Sequence, residues 1–179
     1  HSRVAVYDAA VSGILKADTQ ANSYAYATVE KVSGISLFGV SVIQTNAKAS
    51  GTFEALVENL ADPDALERKL TAGSTEISVD YTSDAYARIA PQGSRLSGIS
   101  ASINLAKAET LTKASSTFVA GGEAQTGNLN IRVGGSGNSK AEGLTAALSI
   151  SGVDLTVNDA QAYLSANQAA ILDIRSGAI

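Results

Sequence analysis

The sequence predicts an all-β protein, a β-solenoid of three repeats of about 54 to 60 residues with one short helical insertion. Three observations predict this class. Related segments recur along the 179 residues. Within them, apolar and polar residues alternate with a period of two, which is typical of strands. Hydrophobic residues make up 45% of the chain but aromatic residues only 5%, so small aliphatic side chains must fill an interior between closely stacked layers.

One motif, residues 96–108, defines the repeat. It aligns with an earlier segment when Gly39 is placed against Gly98, and with a later segment when Gly152 is placed against Gly98. In each alignment a glycine is followed by Val or Ile, and two alanines flank a Lys or Gln further on. A self-similarity of this length is the signature of a repeat architecture. The three segments are therefore expected to lie side by side.

Taken in order, residues 3–7 alternate and predict a short strand or the tail of an incomplete repeat. The first full repeat begins near Gly13, and its start recurs at Gly73 and Gly127. After these glycines, every second position is similar in the three repeats, which predicts a strand in each. The equivalent residues are Leu15, Thr75 and Leu129; Ala17, Ile77 and Ile131; Thr19, Val79 and Val133. Glycines within residues 134–137 indicate a weakened strand or a bulge in the third repeat.

The second strand of each repeat carries the motif of residues 96–108. One of its faces is aliphatic and the other consists of small and polar residues: Ile99, Ala101, Ile103 and Leu105 against Ser100, Ser102, Asn104, Ala106 and Ala108. Residues 153–157 repeat the aliphatic half. Because both faces are largely small or aliphatic, the pattern predicts that this strand is at least partly buried on both sides.

Residues 53–70 interrupt the alternation. Phe53, Leu56, Val57 and Leu60 are spaced for one face of a helix. A second helical run begins at Asp62, a good N-cap, with Pro63 in the first helical position and with Arg68 and Lys69 at the C-terminal end, where the helix dipole favours cations. The segment is therefore predicted to be a helical insertion between the first and second repeats.

The chain is accordingly expected to form a single repeat domain over residues 1–179, with repeats at about 13–52, 73–122 and 127–177. Each repeat is either one wide turn, so that three turns rise about 14 Å, or three narrow turns. The alternative fold is an antiparallel β-sandwich of long hairpins, with residues 91–93 at one tip.

Composition excludes several classes of function. A net charge of −4, without a stripe of Lys and Arg, argues against nucleic-acid binding. The longest apolar run, residues 34–43, is too short for a transmembrane segment. The absence of cysteine fits a secreted chain that is stabilised by backbone hydrogen bonds.

Sites for catalysis are similarly sparse. The only histidine is His1, which excludes a Ser-His-Asp triad and a histidine metal cluster. Paired carboxylates are the remaining enzymatic candidates, either Asp154 with Asp159 or Asp18 with Asp80. Scattered carboxylates on solvated strand faces are the ordinary expectation, and no calcium-binding loop motif is present. The chain is therefore not expected to be an enzyme or to bind a cofactor. No residue is assigned as a metal ligand, and calcium binding through the many oxygen ligands is left open.

Four tyrosines, Tyr24, Tyr26, Tyr81 and Tyr86, form the only aromatic group in the sequence. As alternating strand residues they are candidate surface-contact residues that stack on sugar rings or on a partner. The alternative, which is favoured, is cross-strand packing that stiffens the sheet.

Several segments resemble the β-strand repeats of very large bacterial surface proteins, the filamentous-haemagglutinin and leukotoxin-like adhesins: residues 96–100, 120–122, 127–133 and 158–163. The resemblance covers nearly the whole chain from Gly13, except for the helical insertion. It implies a secreted, non-enzymatic β-solenoid. The chain departs from the family in its predicted helix and in being far shorter, which leaves open whether it is a fragment or a self-assembling subunit.

The expected function is that of a structural or adhesive extracellular module at the cell surface, with self-assembly into a fibre as one form of it. The expected partners are copies of the chain itself or neighbouring repeats, together with a cell-surface glycan. The alternative function is a carbohydrate-binding or polysaccharide-cleaving β-solenoid.

Overall fold

The computed structural model describes residues 1–30, 34–59, 69–90, 95–143 and 149–175. These residues form eight strands and contain no helix. The strands are β1 (Ser2–Tyr7), β2 (Ala10–Val29), β3 (Gly34–Asn59), β4 (Leu70–Ile89), β5 (Arg95–Ala120), β6 (Ala124–Thr126), β7 (Leu129–Gly143) and β8 (Ser149–Ile174). The predicted all-β class is confirmed.

The strands form two sheets. Sheet A has the order β1-β3-β5-β8, and sheet B consists of β2, β4, β6 and β7, with β6 and β7 both paired to β4. Every pairing among the described residues is parallel. The alternative of an antiparallel sandwich of hairpins is therefore wrong, because a hairpin joins antiparallel neighbours in one sheet.

The chain alternates between the two sheets, so that each repeat supplies one long strand to each. Side chains link the sheets: Thr19 Oγ1 donates to the Glu54 carbonyl at 2.8 Å, and Ser116 Oγ donates to the Arg132 carbonyl at 2.6 Å. The four strands of sheet A span three strand spacings, about 14 Å. Each repeat is thus one wide unit with two strands, and the narrow-turn geometry is not observed.

The pairing confirms most of the predicted alignments. Leu15 lies opposite Thr75, which lies opposite Leu129, as the recurrence of Gly13 at Gly73 and Gly127 predicts. The predicted alignment between β5 and β8 also holds, since Asn104 lies opposite Asn158. Backbones approach closely at two of the recurring glycines, Gly73 and Gly127: a Cβ atom on Gly73 would lie 2.8 Å from the carbonyl oxygen of Ser12, whereas one on Gly13 would meet no atom within 4 Å.

The predicted alignment of the first two motifs is wrong by two residues. Gly39 lies opposite Ser100, and not opposite Gly98. The observed register places Lys48 opposite Glu109, whereas the predicted one would place Lys48 opposite Lys107. Because like charges directly opposite one another destabilise a sheet, the observed register is electrostatically better.

The predicted helix over residues 53–70 is wrong at both ends. Phe53–Asn59 is the last part of β3, and Leu70 begins β4. Residues 60–68, which include Asp62, Pro63 and Arg68, lie outside the described residues.

The helical spacing of Phe53, Leu56 and Val57 misleads because the same segment also alternates. Phe53, Ala55 and Val57 are buried. Pairing with β5 on one side and with β1 on the other fixes the extended form. The first repeat therefore runs past residue 52, and the short strand predicted at residues 3–7 is confirmed as β1.

The interior between the sheets contains two clusters of small and medium-sized apolar residues. The first includes Phe118, Val57, Ile77 and Val79, with Val4 and Val6 of β1 packed against it. The second consists mainly of alanines around Ile43 and Ile89. Polar residues are buried as well: Thr19, Ser83, Asn104 and Thr110. Asn104 Nδ2 donates to Asn158 Oδ1 at 2.8 Å, so this buried amide is hydrogen-bonded to the neighbouring strand.

The two faces of β5 differ in solvent exposure. Ser100, Ser102 and Asn104 point inward and are buried, whereas Ile99 and Ile103 point outward and are exposed. The predicted partial burial of both sides therefore holds for Ala101 and Leu105, which are half-buried, but not for Ile99 and Ile103. The exposed residues of that face form an apolar block with their neighbours on β3 and β8: Phe38, Val40, Val42, Ile99, Ile103, Val153, Leu155 and Val157.

Candidate functional site

Tyrosines on the outer face of sheet B form the first candidate site. Tyr24 and Tyr26 on β2 share a face because alternate residues of a strand point the same way. Their exposed fractions are 70% and 52%. Tyr86 lies opposite Tyr26 on β4, and the two rings stack with centroids 5.3 Å apart and planes 20° apart. Three of the four predicted surface tyrosines thus come together.

Tyr81 does not belong to this surface, so the prediction is wrong for this residue. Its side chain is only 6% exposed and stacks on Phe53, with ring centroids 5.6 Å apart. Its hydroxyl accepts a hydrogen bond from Gln168 Nε2 at 2.6 Å. The sequence contained evidence for this burial. Tyr81 is at an odd-numbered position of β4 and Tyr86 at an even-numbered one, and alternation with a period of two puts them on opposite faces of the strand.

The glycine-rich segment of the third repeat, residues 134–137, leaves room for the buried ring of Tyr81. β7 is continuous through residues 134–137 and pairs with β4 without interruption, so the predicted bulge is wrong. Gly135 lies opposite Tyr81, and a Cβ atom there would collide with the Tyr81 ring. The glycine is present because the ring occupies the space of its side chain.

A charged group borders the stacked tyrosines. Glu142 on β7 accepts hydrogen bonds from Tyr86 Oη and Lys140 Nζ, each at 2.6 Å, and lies 3.9 Å from Arg88 Nε. Lys140 Nζ also lies 5.6 Å from the centroid of the Tyr86 ring. Tyr86 therefore has Tyr26 on one face and Lys140 on the other.

These contacts shift three pKa values. The hydrogen bonds from Lys140 and Tyr86 hold the pKa of Glu142 below its usual value. The hydrogen bond to Glu142 raises the pKa of Lys140 and raises the pKa of the Tyr86 hydroxyl. These shifts favour the charged forms of Glu142 and Lys140 and the neutral form of Tyr86.

The outer face of sheet B thus offers exposed aromatic surface beside fixed hydrogen-bonding groups. Tyr24 and the outer side of Tyr26 carry the free ring surface. Sequence reasoning missed the charged members, Arg88, Lys140 and Glu142. The alignment that places Gly73 against Gly127 also puts Lys140 opposite Tyr86 and could have found them.

The predicted carboxylate pairs lie apart from this group. Asp18 and Asp80 are on neighbouring strands of sheet B; Asp18 accepts a hydrogen bond from Ser78 Oγ at 2.7 Å, and Asp80 forms an ion pair with Arg132. Asp159 on β8 accepts a hydrogen bond from Gln161 Nε2 at 2.7 Å. The side chain of Asp154 lies outside the described residues.

Strand edges at the two ends of the stack form the second candidate site. Among the described residues, β8 pairs only with β5 and β7 only with β4. At the opposite end, β2 pairs only with β4 in the described part of the chain. The inner face of β8 is only partly covered by sheet B, through Gln168 on Tyr81 and through Ser139 on the Tyr163 carbonyl, and Leu164 and Leu172 are exposed there. Such edges present unpaired backbone donors and acceptors to a further strand.

No group of three or more His, Asp or Glu side chains in the described ranges is arranged to hold a metal ion. The described part of the chain also contains no helix that is long and apolar enough to cross a membrane. Comparisons with protein-family models, with curated proteins and with solved structures found no match for this chain.

Proposed function

We propose that this chain is a structural module, a β-solenoid whose repeats are wide turns of two strands, which assembles through its open strand edges into a fibre of the kind expected at a cell surface. The observation that carries the proposal is the edge of β8, which extends over 26 residues. A parallel strand of this length has donors and acceptors for many hydrogen bonds with a further strand.

Exposed apolar side chains at this end support the same function. Leu164, Leu172 and Ile174 of β8 are all about half exposed or more, although the corresponding faces of β3 and β5 are buried. Within the described residues, β7 is the last strand of sheet B at this end, and it covers β8 only in part. Addition of one more repeat would bury these side chains, so apolar burial and backbone pairing favour association together.

Electron microscopy and fibre diffraction of the purified chain test the proposal. We expect fibres whose length grows with protein concentration. Their diffraction pattern should contain a reflection at about 4.8 Å along the fibre axis, because the strands stack along that axis. Sedimentation velocity should show a distribution that shifts to larger species with concentration. A chain that remains monomeric throughout would contradict the proposal.

Glycan binding is the second candidate function, and the exposed tyrosines favour it. Sugar rings stack on exposed aromatic faces while neighbouring polar groups bind their hydroxyls. Binding to immobilised polysaccharides should fall on Tyr24→Ala. The matched control is Tyr7→Ala, which removes a half-exposed tyrosine from sheet A. Equal retention of the two variants would contradict a binding role for the tyrosine surface.

A further inference from the structure

We infer that copies of this chain join head to tail in a single register, with β7 of one copy beside β2 of the next. The inference rests on the proposed assembly and adds its polarity and the residues in contact. The two ends differ, so the interface is heterologous, and an interface of this type produces open filaments when the rotation does not close.

The register follows from the residues that lie directly opposite one another on β2, β4 and β7 of sheet B. Each such set of opposite residues is called a column. Asp18 lies opposite Ser78, which lies opposite Arg132. Tyr26 lies opposite Tyr86, which lies opposite Lys140. If the next copy continues the same columns, Arg132 of one copy meets Asp18 of the next, and Lys140 meets Tyr26.

The first of these pairs joins opposite charges. The Arg132 side chain is exposed and already binds Asp80. A guanidinium has five donors, so it can bind a second carboxylate at the same time. Asp18 accepts hydrogen bonds from Ser78 through Oδ1 and from Gln20 through Oδ2, and Lys16 Nζ lies 3.9 Å from Oδ2. A carboxylate has about four lone-pair sites, so Asp18 retains acceptor capacity for Arg132.

The second pair repeats a contact that the chain already makes. Lys140 Nζ lies over the Tyr86 ring, and Tyr26 stacks on the opposite face of that ring. The other face of Tyr26 points along the same column toward the open edge. Lys140 of the preceding copy would cover that face, as it covers Tyr86 within its own chain.

The remaining columns of sheet B bring no like charges together. The outward pairs would be Asn130 with Lys16, Gly134 with Gln20, Ser136 with Asn22, Asn138 with Tyr24 and Glu142 with Thr28. The inward pairs at the apolar end would be Leu129 with Leu15, Ile131 with Ala17 and Val133 with Thr19. The junction therefore continues both the polar outer face and the apolar inner face.

In sheet A the same step places β8 beside β3 of the next copy. It aligns the exposed apolar residues of β8 with those of β3, such as Leu155 with Val40. Gln168–Asp173 of β8 would then occupy the columns of Phe53–Glu58, which β1 occupies within its own chain. The exchange loses the ion pair of Arg3 with Glu54 and places Asp173 opposite Glu58. We expect β1 to yield because Ala170 and Leu172 supply apolar side chains where Val4 and Val6 now pack, and because the junction continues along the rest of β8.

Charge exchange across the junction tests the register. Arg132→Asp and Asp18→Arg should each raise the concentration needed for assembly by about tenfold, because each creates a like-charge contact between copies. An equal mixture of the two variants should assemble at a lower concentration than either variant alone, since every junction in an alternating filament then joins opposite charges. The loss of the Arg132–Asp80 ion pair within the Arg132→Asp chain is not relieved by mixing, so the comparison is with the single variants. Lys113→Asp, on the outer face of the central strand β5, is the control and should assemble as wild type does.

The outcomes separate this inference from the proposed function. A wild-type chain that does not assemble overturns both. If the wild-type chain assembles but the mixture does no better than the single variants, the register is wrong while the assembly stands. Circular dichroism checks that each variant folds; if one does not, Tyr26→Ala replaces it and should also raise the concentration needed, whereas an unchanged value would overturn the register.

A deletion tests the part that sheet A plays. Removal of residues 1–7 should lower the concentration needed for assembly, because β1 no longer competes for the edge of β3. An unchanged or higher value would overturn the displacement of β1.

Discussion

Lys48 and Glu109 lie directly opposite one another on β3 and β5, with Nζ 4.0 Å from Oε2. Lys107 Nζ lies 3.7 Å from the same oxygen. Glu109 therefore separates two lysines that an alignment by residue identity would place side by side. Opposite charges on neighbouring strands favour this register, although a pair this exposed contributes little to the free energy of unfolding.

Engineered disulfides test the register between β3 and β5. The chain has no cysteine, so Ser50→Cys combined with Leu111→Cys introduces a single pair on directly opposite positions. Neighbouring strands are about 4.8 Å apart, within the range that a disulfide spans. We expect this pair to form an intramolecular disulfide under mild oxidation, as measured by thiol titration and mass spectrometry.

The matched control combines Ser50→Cys with Glu109→Cys, the pair that would lie together if Gly39 were opposite Gly98. In the observed register their Cα atoms are about 8 Å apart, too far for a disulfide. Preferential cross-linking of this control would show that the register is wrong.

Truncation of Phe118 tests the interior. Its side chain is fully buried in the first apolar cluster. Phe118→Ala should lower the free energy of unfolding by about 3–5 kcal/mol, because it removes apolar contacts and leaves a cavity. Leu155→Ala, at a residue that is 63% exposed on the outer face, should change it by less than about 0.5 kcal/mol in the monomer. Urea denaturation measures both, and similar losses would contradict the assignment of inner and outer faces.

Gly135 tests the contact between β7 and the buried Tyr81 ring. Gly135→Ala should lower the free energy of unfolding by about 1–3 kcal/mol, since the ring is fixed by Phe53 and Gln168 and cannot move aside freely. Gly143→Ala on the same strand is the control: its Cβ atom would come no nearer than 3.9 Å to Asn158 Cβ. Thermal unfolding of the two variants should therefore separate them, and equal stability would contradict this packing.

Glu142 predicts a pH dependence in the acid range. Its pKa in the folded protein is lowered from the ordinary value of 4.5 by hydrogen bonds from Lys140 and Tyr86. A lowered pKa contributes stability that is present above the unfolded-state value and is lost as the pH falls through the folded-state value. Wild type should exceed Glu142→Gln in urea midpoint at neutral pH, and the difference should shrink below pH 4.5.

Tyr86→Phe is the comparison for Glu142, because it keeps the ring stack and removes one hydrogen bond. It should reduce the acid-range dependence without abolishing it. A difference between wild type and Glu142→Gln that is constant from neutral pH to the acid range would contradict the role of the carboxylate.

Period-two alternation and the recurrence of the repeat predicted the strands of sheet B and which strand lies beside which. These predictions were correct because parallel pairing between repeats keeps equivalent positions of the sequence opposite one another. Residues 53–59 were mispredicted because a short apolar segment fits both a helical and a strand period, and only pairing with β1 and β5 selects the strand. The candidate site was predicted in part: alternation puts Tyr24, Tyr26 and Tyr86 on one face, but Lys140 and Glu142 beside them come from the third repeat.

Residue order alone was enough to establish that the chain is built from related β-strands with small side chains, since composition and alternation depend on nothing else. Which face each strand buries, and the register between β3 and β5, became known only from the folded chain. Those choices come from packing the two sheets and from matching charges and rings across strands that are distant in the sequence. A pattern within one strand does not contain them, because either face of an aliphatic strand can point inward until a second sheet covers it.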